Sequence, residues 1–268
     1  MAAEGNGRPV ALVTGASAGI GAKFARQLAR RGCDLVLVAR RRERLEALAD
    51  ELHAAHDVAA GVIDADLTDE ADRRRVCDHI HKTPNLQYLV NNAGFGTTSL
   101  FYEADADEPL GMVELHVRAP VQLTHAALPA MVERGRGFVV NVSSVAAFLQ
   151  GASGVMYCAT KAFLNSFTLG LAAELRGKGV KVQALCPGFT YSEFHDVAGI
   201  DRSIAGKFWW LDADYVVRTS LAALDGRTTV VIPSLRYKFM AGLLKVTPQW
   251  LLNHAGQKRH ETTGDYPA

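Results

Sequence analysis

The stretch PVALVTGASAGIGAKFARQLARRG, residues 9–32, limits what the chain can become more than any other. Val10 to Val13 form a short unbroken apolar run, the pattern of a parallel strand buried on both faces. Gly15, Gly19 and Gly21 follow at once, and Phe24, Ala25 and Leu28 then recur at helical spacing. A glycine turn needs no room for Cβ atoms, so backbone and helix can come close to a ligand. The backbone N–H groups at such a helix start suit a pyrophosphate. Glycine-rich turns serve many βα connections, but strand, turn and helix in this order point to a dinucleotide. Gly32 ends the helix as its C′ residue, with Arg30 and Arg31 complementing the dipole.

The alternation begun there continues along the chain. Strands are predicted near 9–14, 34–39, 58–63, 86–91, 137–142, 180–186 and 228–232. Helices are predicted over 19–31, 41–56, 69–82, 109–134, 156–177 and 212–225. This order predicts an α/β Rossmann-type fold, a doubly wound parallel sheet of about seven strands with helices on both faces. At 268 residues the chain suits one large domain, able to bury about 70–75% of its unfolded surface. We expect residues 8–150 to form the dinucleotide-binding part. The catalytic helix, a substrate lid and C-terminal helices would fill 151–268.

Charge and composition exclude several functions. The net charge is +1 and there is no basic stripe, which argues against nucleic acid as a partner. Residues 1–9 carry no apolar leader, and no run of eighteen apolar residues occurs, so a cytoplasmic protein without a membrane span is expected. Cys33, Cys77, Cys158 and Cys186 lie far apart, as reduced thiols rather than a disulfide frame or metal site.

Tyr157 and Lys161 in YCATK lie four residues apart, on one face of a predicted helix. An ammonium beside a phenol favours the phenolate, and a shift of roughly three units would represent about 4 kcal/mol. A phenol so poised can move a proton in carbonyl reduction or alcohol oxidation. YxxxK by itself also fits a solvated helix face. Its weight comes from company: TGASAGIG at 14–21, DLTD at 66–69, NNAG at 91–94, NVSS at 141–144 and CPG at 186–188. Six motifs in this order, spread over nearly the full chain, resemble the short-chain dehydrogenase/reductase family, in particular its compact bacterial reductases.

The resemblance implies a nicotinamide cofactor and a Ser–Tyr–Lys centre. It places the cofactor on Gly15, Ser17, Gly19, Ile20, Gly21, Arg40, Asp66, Leu67, Asn91, Ala93, Gly94, Tyr157, Lys161, Pro187, Gly188, Thr190 and Ser192. Of the serines Ser143 and Ser144, Ser144 stands thirteen residues before Tyr157, the family's separation. Its hydroxyl would hold the substrate oxygen, while Lys161 would lower the tyrosine pKa and bond the nicotinamide ribose. The family also places an asparagine in its fourth helix, supporting a water-linked proton path to the lysine. Here that position is His116, which either replaces it, as a fourth catalytic residue, or simply packs.

The second strand bears on which nicotinamide. It runs into Ala39, Arg40, Arg41 and Arg42 with no carboxylate for ribose hydroxyls. Arg40 suits a 2′-phosphate, and an anion would relieve several arginines at a helix start, so NADP(H) is expected. Ala18, where many NADP-preferring relatives carry a second basic residue, weighs the other way. Asp66 is expected to accept from the adenine amino group, with Asp64 the alternative. Thr68 is expected to cap the next helix, with Asp69 and Glu70 in its first turn.

Phe189 to Leu211 hold Phe189, Tyr191, Phe194, Phe208, Trp209 and Trp210, either an aromatic substrate lid or a loop with its own small core. In the tail, Phe239, Met240, Leu243 and Leu244 are expected on one helical face, against Arg236, Lys238 and Lys245. That face would cover the active site, pack on a partner subunit or touch a membrane, in that order. Thr247 and Pro248 are expected to open a further helix. The function expected is NADP(H)-dependent interconversion of an apolar ketone and a secondary alcohol by a homodimer or homotetramer, without metal. The alternatives are a 3-oxoacyl-thioester ketoreductase and a nucleotide-binding redox sensor without turnover.

Overall fold

The structure, a computed structural model, describes residues 7–247 apart from 98, 150–153, 195–197, 199–200, 202–205 and 227. Seven parallel strands form one sheet in the order β3-β2-β1-β4-β5-β6-β7. They are β1 (Val10–Thr14), β2 (Asp34–Ala39), β3 (Ala60–Asp64), β4 (Leu86–Asn91), β5 (Gly137–Val142), β6 (Val180–Leu185) and β7 (Val230–Val231). The chain winds outward from β1 to β3, then returns to lay β4 on the other side of β1. Ligands of open α/β sheets bind at such a reversal, beyond the carboxyl ends of the strands.

Alternate residues of each central strand enter opposite cores. Ala11 and Val13 of β1, with Leu35 and Leu37 of β2, pack against Phe24 and Leu28 of α1 (Gly19–Arg30). The same core takes Leu45 and Leu48 of α2 (Arg42–His56). Val10, Leu12, Val36 and Val38 face the other way, toward Val76 and Ile80 of α3 (Glu70–His81). At the end of α1, Gly32 has φ +79°, its N–H reaching Ala29 O at 2.8 Å and that of Cys33 reaching Leu28 O at 3.1 Å. This Schellman motif turns the chain into β2.

One helix is not regular. The predicted helix over 109–134 is α4 (Asp107–Val113), a π turn (Glu114–Arg118) and α5 (Ala119–Glu133), run together. Pro120 offers no N–H to residue 116, and its ring crowds that carbonyl, which accounts for the widened turn. Among the described residues the remaining α-helices are α6 (Val155–Glu174), α7 (Ala213–Ala223) and α8 (Leu235–Val246).

One local expectation is corrected. Asp69, not Thr68, caps α3, accepting from Asp72 N at 2.9 Å. Thr68 instead donates N–H and hydroxyl to Asp66 Oδ1, because a β-hydroxyl two residues after a carboxylate closes a tight local turn. Thr247 follows α8 as its C-cap, and the further helix expected from Pro248 onward lies outside the described residues.

Candidate active site

The glycine turn after β1 is held from beneath. Thr14 Oγ1 accepts from the N–H groups of Asn92 and Ala93 at 2.9 and 3.0 Å, and Asn92 Nδ2 donates to Thr14 O at 2.9 Å. Gly15 has φ +63°, and a Cβ there would sit 2.7 Å from Asn92 Nδ2. No side chain caps the start of α1 at Ala18, and its first turn carries no acidic residue. Uncapped N–H groups and an uncompensated dipole fit the pyrophosphate of a dinucleotide.

A cavity of about 840 Å³ opens over this turn. Its walls include Gly15, Ser17, Gly19, Ile20, Arg40, Asp66, Leu67, Ala93, Gly94, Ser144, Tyr157, Lys161, Pro187, Gly188, Thr190 and Ser192. Three expected residues stand back from it. Gly21 lies under the turn, where a Cβ would meet Gly15 O at 2.3 Å. Asn91 is buried, its Nδ2 donating to Asn141 Oδ1 and Thr124 Oγ1 at 2.8 and 3.1 Å. Asn92 takes the cavity wall instead, since successive strand residues point to opposite faces. His116 is also buried behind the wall.

At the nucleotide end, Arg40 Nη1 lies 3.6 Å from Asp66 Oδ2. Burial pushes the Asp66 carboxyl up, but hydrogen bonds from Thr68 and the Arg40 charge outweigh it and hold it below its usual range. Asp64 lies off the cavity, against Arg42 at 3.4 Å. The arginines at the start of α2 thus already have carboxylate partners, Asp66 for Arg40 and both Asp64 and Glu46 for Arg42.

Near the end of β5 both serines line the cavity, but Ser143 spends its hydroxyl on Lys161 O at 2.9 Å. The Lys161 ammonium donates to Val142 O at 2.9 Å and stands 5.5 Å from the centre of the Tyr157 ring. Burial lowers Lys161 to about 8. Burial pushes Tyr157 up to about 12, against a hydrogen bond with Ser144 that pulls it down. The lowered tyrosine pKa expected from YxxxK is therefore not met by the protein's own groups. Desolvation of the phenolate wins over a lysine whose head is turned to a backbone carbonyl.

The π turn brings His116 behind these residues. Its Nε2 accepts from Phe95 N at 3.1 Å, so the remaining ring proton sits on Nδ1, which faces Thr160 Oγ1 at 3.0 Å. Burial and the Lys161 charge hold its pKa well below the usual 6.5. The ring meets Tyr157 edge-on at 5.9 Å between centroids. Glu114 of the same turn ion-pairs at 2.7 Å with the buried Arg73 of α3, whose guanidinium also donates to the carbonyls of Leu67 and Thr68. Motif reading missed Arg73, because only the fold brings α3 to the π turn.

The aromatic segment divides between the two roles expected of it. Phe189, Phe194 and Trp209 line the cavity, while Tyr191 stacks on Trp210 at 5.0 Å. The tail helix covers the site with only part of the face expected: Met240 lines the cavity, joined by Tyr237, whereas Phe239 and Leu243 are exposed. The Tyr237 hydroxyl accepts from Phe189 N at 3.0 Å and donates to Trp209 O at 2.7 Å. A Cβ on Gly188 would lie 2.0 Å from the Tyr237 ring, so only glycine lets the two meet.

The short chain dehydrogenase family model matches residues 9–202. A serine 3-dehydrogenase of Agrobacterium fabrum is 40% identical over 186 residues, 68% of this chain and 72% of its own. A short-chain dehydrogenase of Sphingobium yanoikuyae, solved with NADPH, superposes with TM-score 0.81 at 36% identity, covering 90% of this chain and 97% of that one. The bulky-bulky ketone specific alcohol dehydrogenase of Comamonas testosteroni gives 0.77 at 32%, covering 98% and 96%. The chain belongs to the short-chain dehydrogenase/reductase family. It is an oxidoreductase of that family's Rossmann-fold, nucleotide-binding type.

Proposed function

We propose that the protein interconverts an apolar ketone and its secondary alcohol with NADP(H), in the cytoplasm and as a homo-oligomer. One observation carries this most: Ser144, Tyr157 and Lys161 share a cavity wall between a charged end and an apolar end. A nicotinamide bound in this cavity would supply or take up the hydride. Ser144 holds the substrate oxygen, and Tyr157, neutral at physiological pH, gives it a proton. Lys161 holds the nicotinamide ribose. Phe95, Leu115, Leu149, Phe194, Trp209 and Met240 form the apolar end and favour a carbonyl with large apolar substituents. The Comamonas enzyme, named for bulky ketones, supports this class.

Arg40, Arg41 and Ser17 frame the 2′ position of the nucleotide and favour a phosphate there. The NADPH in the Sphingobium structure supports the same choice. His116 acts as a positioning residue, joining the loop at Phe95 to the catalytic helix at Thr160. A panel of ketones, alcohols and 3-oxoacyl thioesters, assayed for NADPH oxidation or NADP reduction, tests the assignment. Turnover of bulky apolar ketones supports it, and turnover confined to thioesters replaces the substrate class. Tight NADPH binding with no turnover of any substrate favours a sensor. Sedimentation decides the oligomer.

A further inference from the structure

Ser192 and Glu193 cross the cavity as part of its roof, and Glu193 reaches the opposite wall. The Ser192 Cβ lies 3.0 Å from where a Cβ of Gly19 would be, so the roof rests on the glycine turn. From there the Glu193 carboxylate takes Arg41 Nη1 at 2.9 Å, while Arg44 Nη1 reaches both of its oxygens at 2.7 and 2.8 Å. Arg41 turns its other N–H groups to Ser17 Oγ at 3.2 and 3.0 Å. Arg41, Ser17 and Glu193 all line the cavity, and Arg44 stands outside it.

The side chains of Arg41, Glu193 and Arg44 are 43%, 47% and 49% exposed. Ion pairs so open to water are weak and exchange readily. The two guanidinium groups hold the Glu193 carboxyl below its usual range, so it is an anion at neutral pH. Ser17 Oγ accepts from Arg41 and keeps its own proton free to donate to an anion beside it. Arg41 thus lies between an internal carboxylate and the place where a 2′-phosphate would meet Ser17 and Arg40.

We propose that Glu193 determines nucleotide specificity by competing with the 2′-phosphate for Arg41. The proposal rests on the NADP(H) assignment above and adds a residue that acts against it. A phosphate dianion with three acceptor oxygens takes the guanidinium, and Glu193 falls back on Arg44, which already spans both its oxygens. A nucleotide without the 2′-phosphate leaves Arg41 with Glu193, and the roof stays tied to α2 by both arginines. Glu193 therefore lowers the preference for NADP(H) that the arginines alone would give.

The test uses adenosine 2′,5′-diphosphate and adenosine 5′-monophosphate, titrated calorimetrically against wild type, Glu193→Gln, Arg44→Ala and the double variant. Glu193→Gln is expected to tighten the diphosphate roughly two- to fivefold, the range of a half-exposed ion pair, and to leave the monophosphate unchanged. Arg44→Ala, which leaves the carboxylate to Arg41 alone, is expected to weaken the diphosphate by a similar factor. In the Glu193→Gln background it is expected to do nothing. Weaker or unchanged diphosphate binding in Glu193→Gln, or an equal change for both nucleotides, overturns the proposal while leaving the cofactor assignment standing. A wild type that binds both nucleotides equally overturns the assignment itself, and the competition with it.

Discussion

Burial and function pull Tyr157 in opposite directions. At about 12 its pKa keeps the phenol protonated through the physiological range, the state that a proton donor to a nascent alkoxide requires. Tyr157→Phe is expected to slow turnover at least about a hundredfold while cofactor affinity stays within a few-fold, measured by steady-state kinetics and titration. Lys161 sets the pH limit. Its ammonium, held to about 8 by burial, is charged below that value and lost above it. Ketone reduction is therefore expected to be flat below about 8 and to fall as pH rises through it, in a profile taken with a substrate whose chemistry limits the rate. His116 is not expected to add an ionisation near neutrality, because Nε2 is spent on Phe95 N and the imidazolium is disfavoured. His116→Leu strands the Phe95 N–H and is expected to cost about 1–3 kcal/mol in denaturant unfolding, as well as turnover. His116→Asn restores an acceptor and is expected to recover most of both, with the pH profile unchanged.

At the scale of elements, what could be read from the sequence was what local pattern dictates. Buried parallel strands are apolar runs, so β2, β4 and β5 fall where expected, and Gly32 announces the turn that it makes. The motifs also gave much of the cavity wall, because all but YCATK, which lies on α6, stand at the carboxyl ends of strands. Contacts between distant elements were not legible. Arg73 looks like one more charge on a surface helix until α3 is packed on the π turn. Glu193 and Tyr237 became visible only when the roof was laid over β1. Arg73→Leu leaves Glu114 with Arg118 alone among its described partners, and removes three hydrogen bonds, those to Leu67, Thr68 and Gln122. Its cost is expected to be about 3 kcal/mol in urea unfolding, the lower end for a broken buried pair because the Glu114 side chain is 29% exposed. Cofactor affinity is expected to fall with it, since Leu67 and Thr68 line the cavity.

Taken whole, the molecule closes its site with segments from both ends of the chain: the glycine turn at one wall, Tyr237 and Met240 at the other. A ligand that bridges them stabilises the native state by mass action. NADPH at a hundred times its dissociation constant is expected to add about 2.7 kcal/mol, roughly 5–10 °C in melting temperature for a protein near this size. No such gain would mean that the nucleotide does not bind the folded protein. The π turn gives the same assembly an unusual sensitivity to length. It holds one residue more than an α-helical turn would need, and each residue in a helix is worth about 100° of rotation. Removing a single residue from Glu114–Arg118 would let α4 and α5 merge into a straighter helix while swinging one of them about its axis. Either His116 or the packing of α4 would then face the wrong way, so a shorter chain here can be a smoother helix and a poorer catalyst.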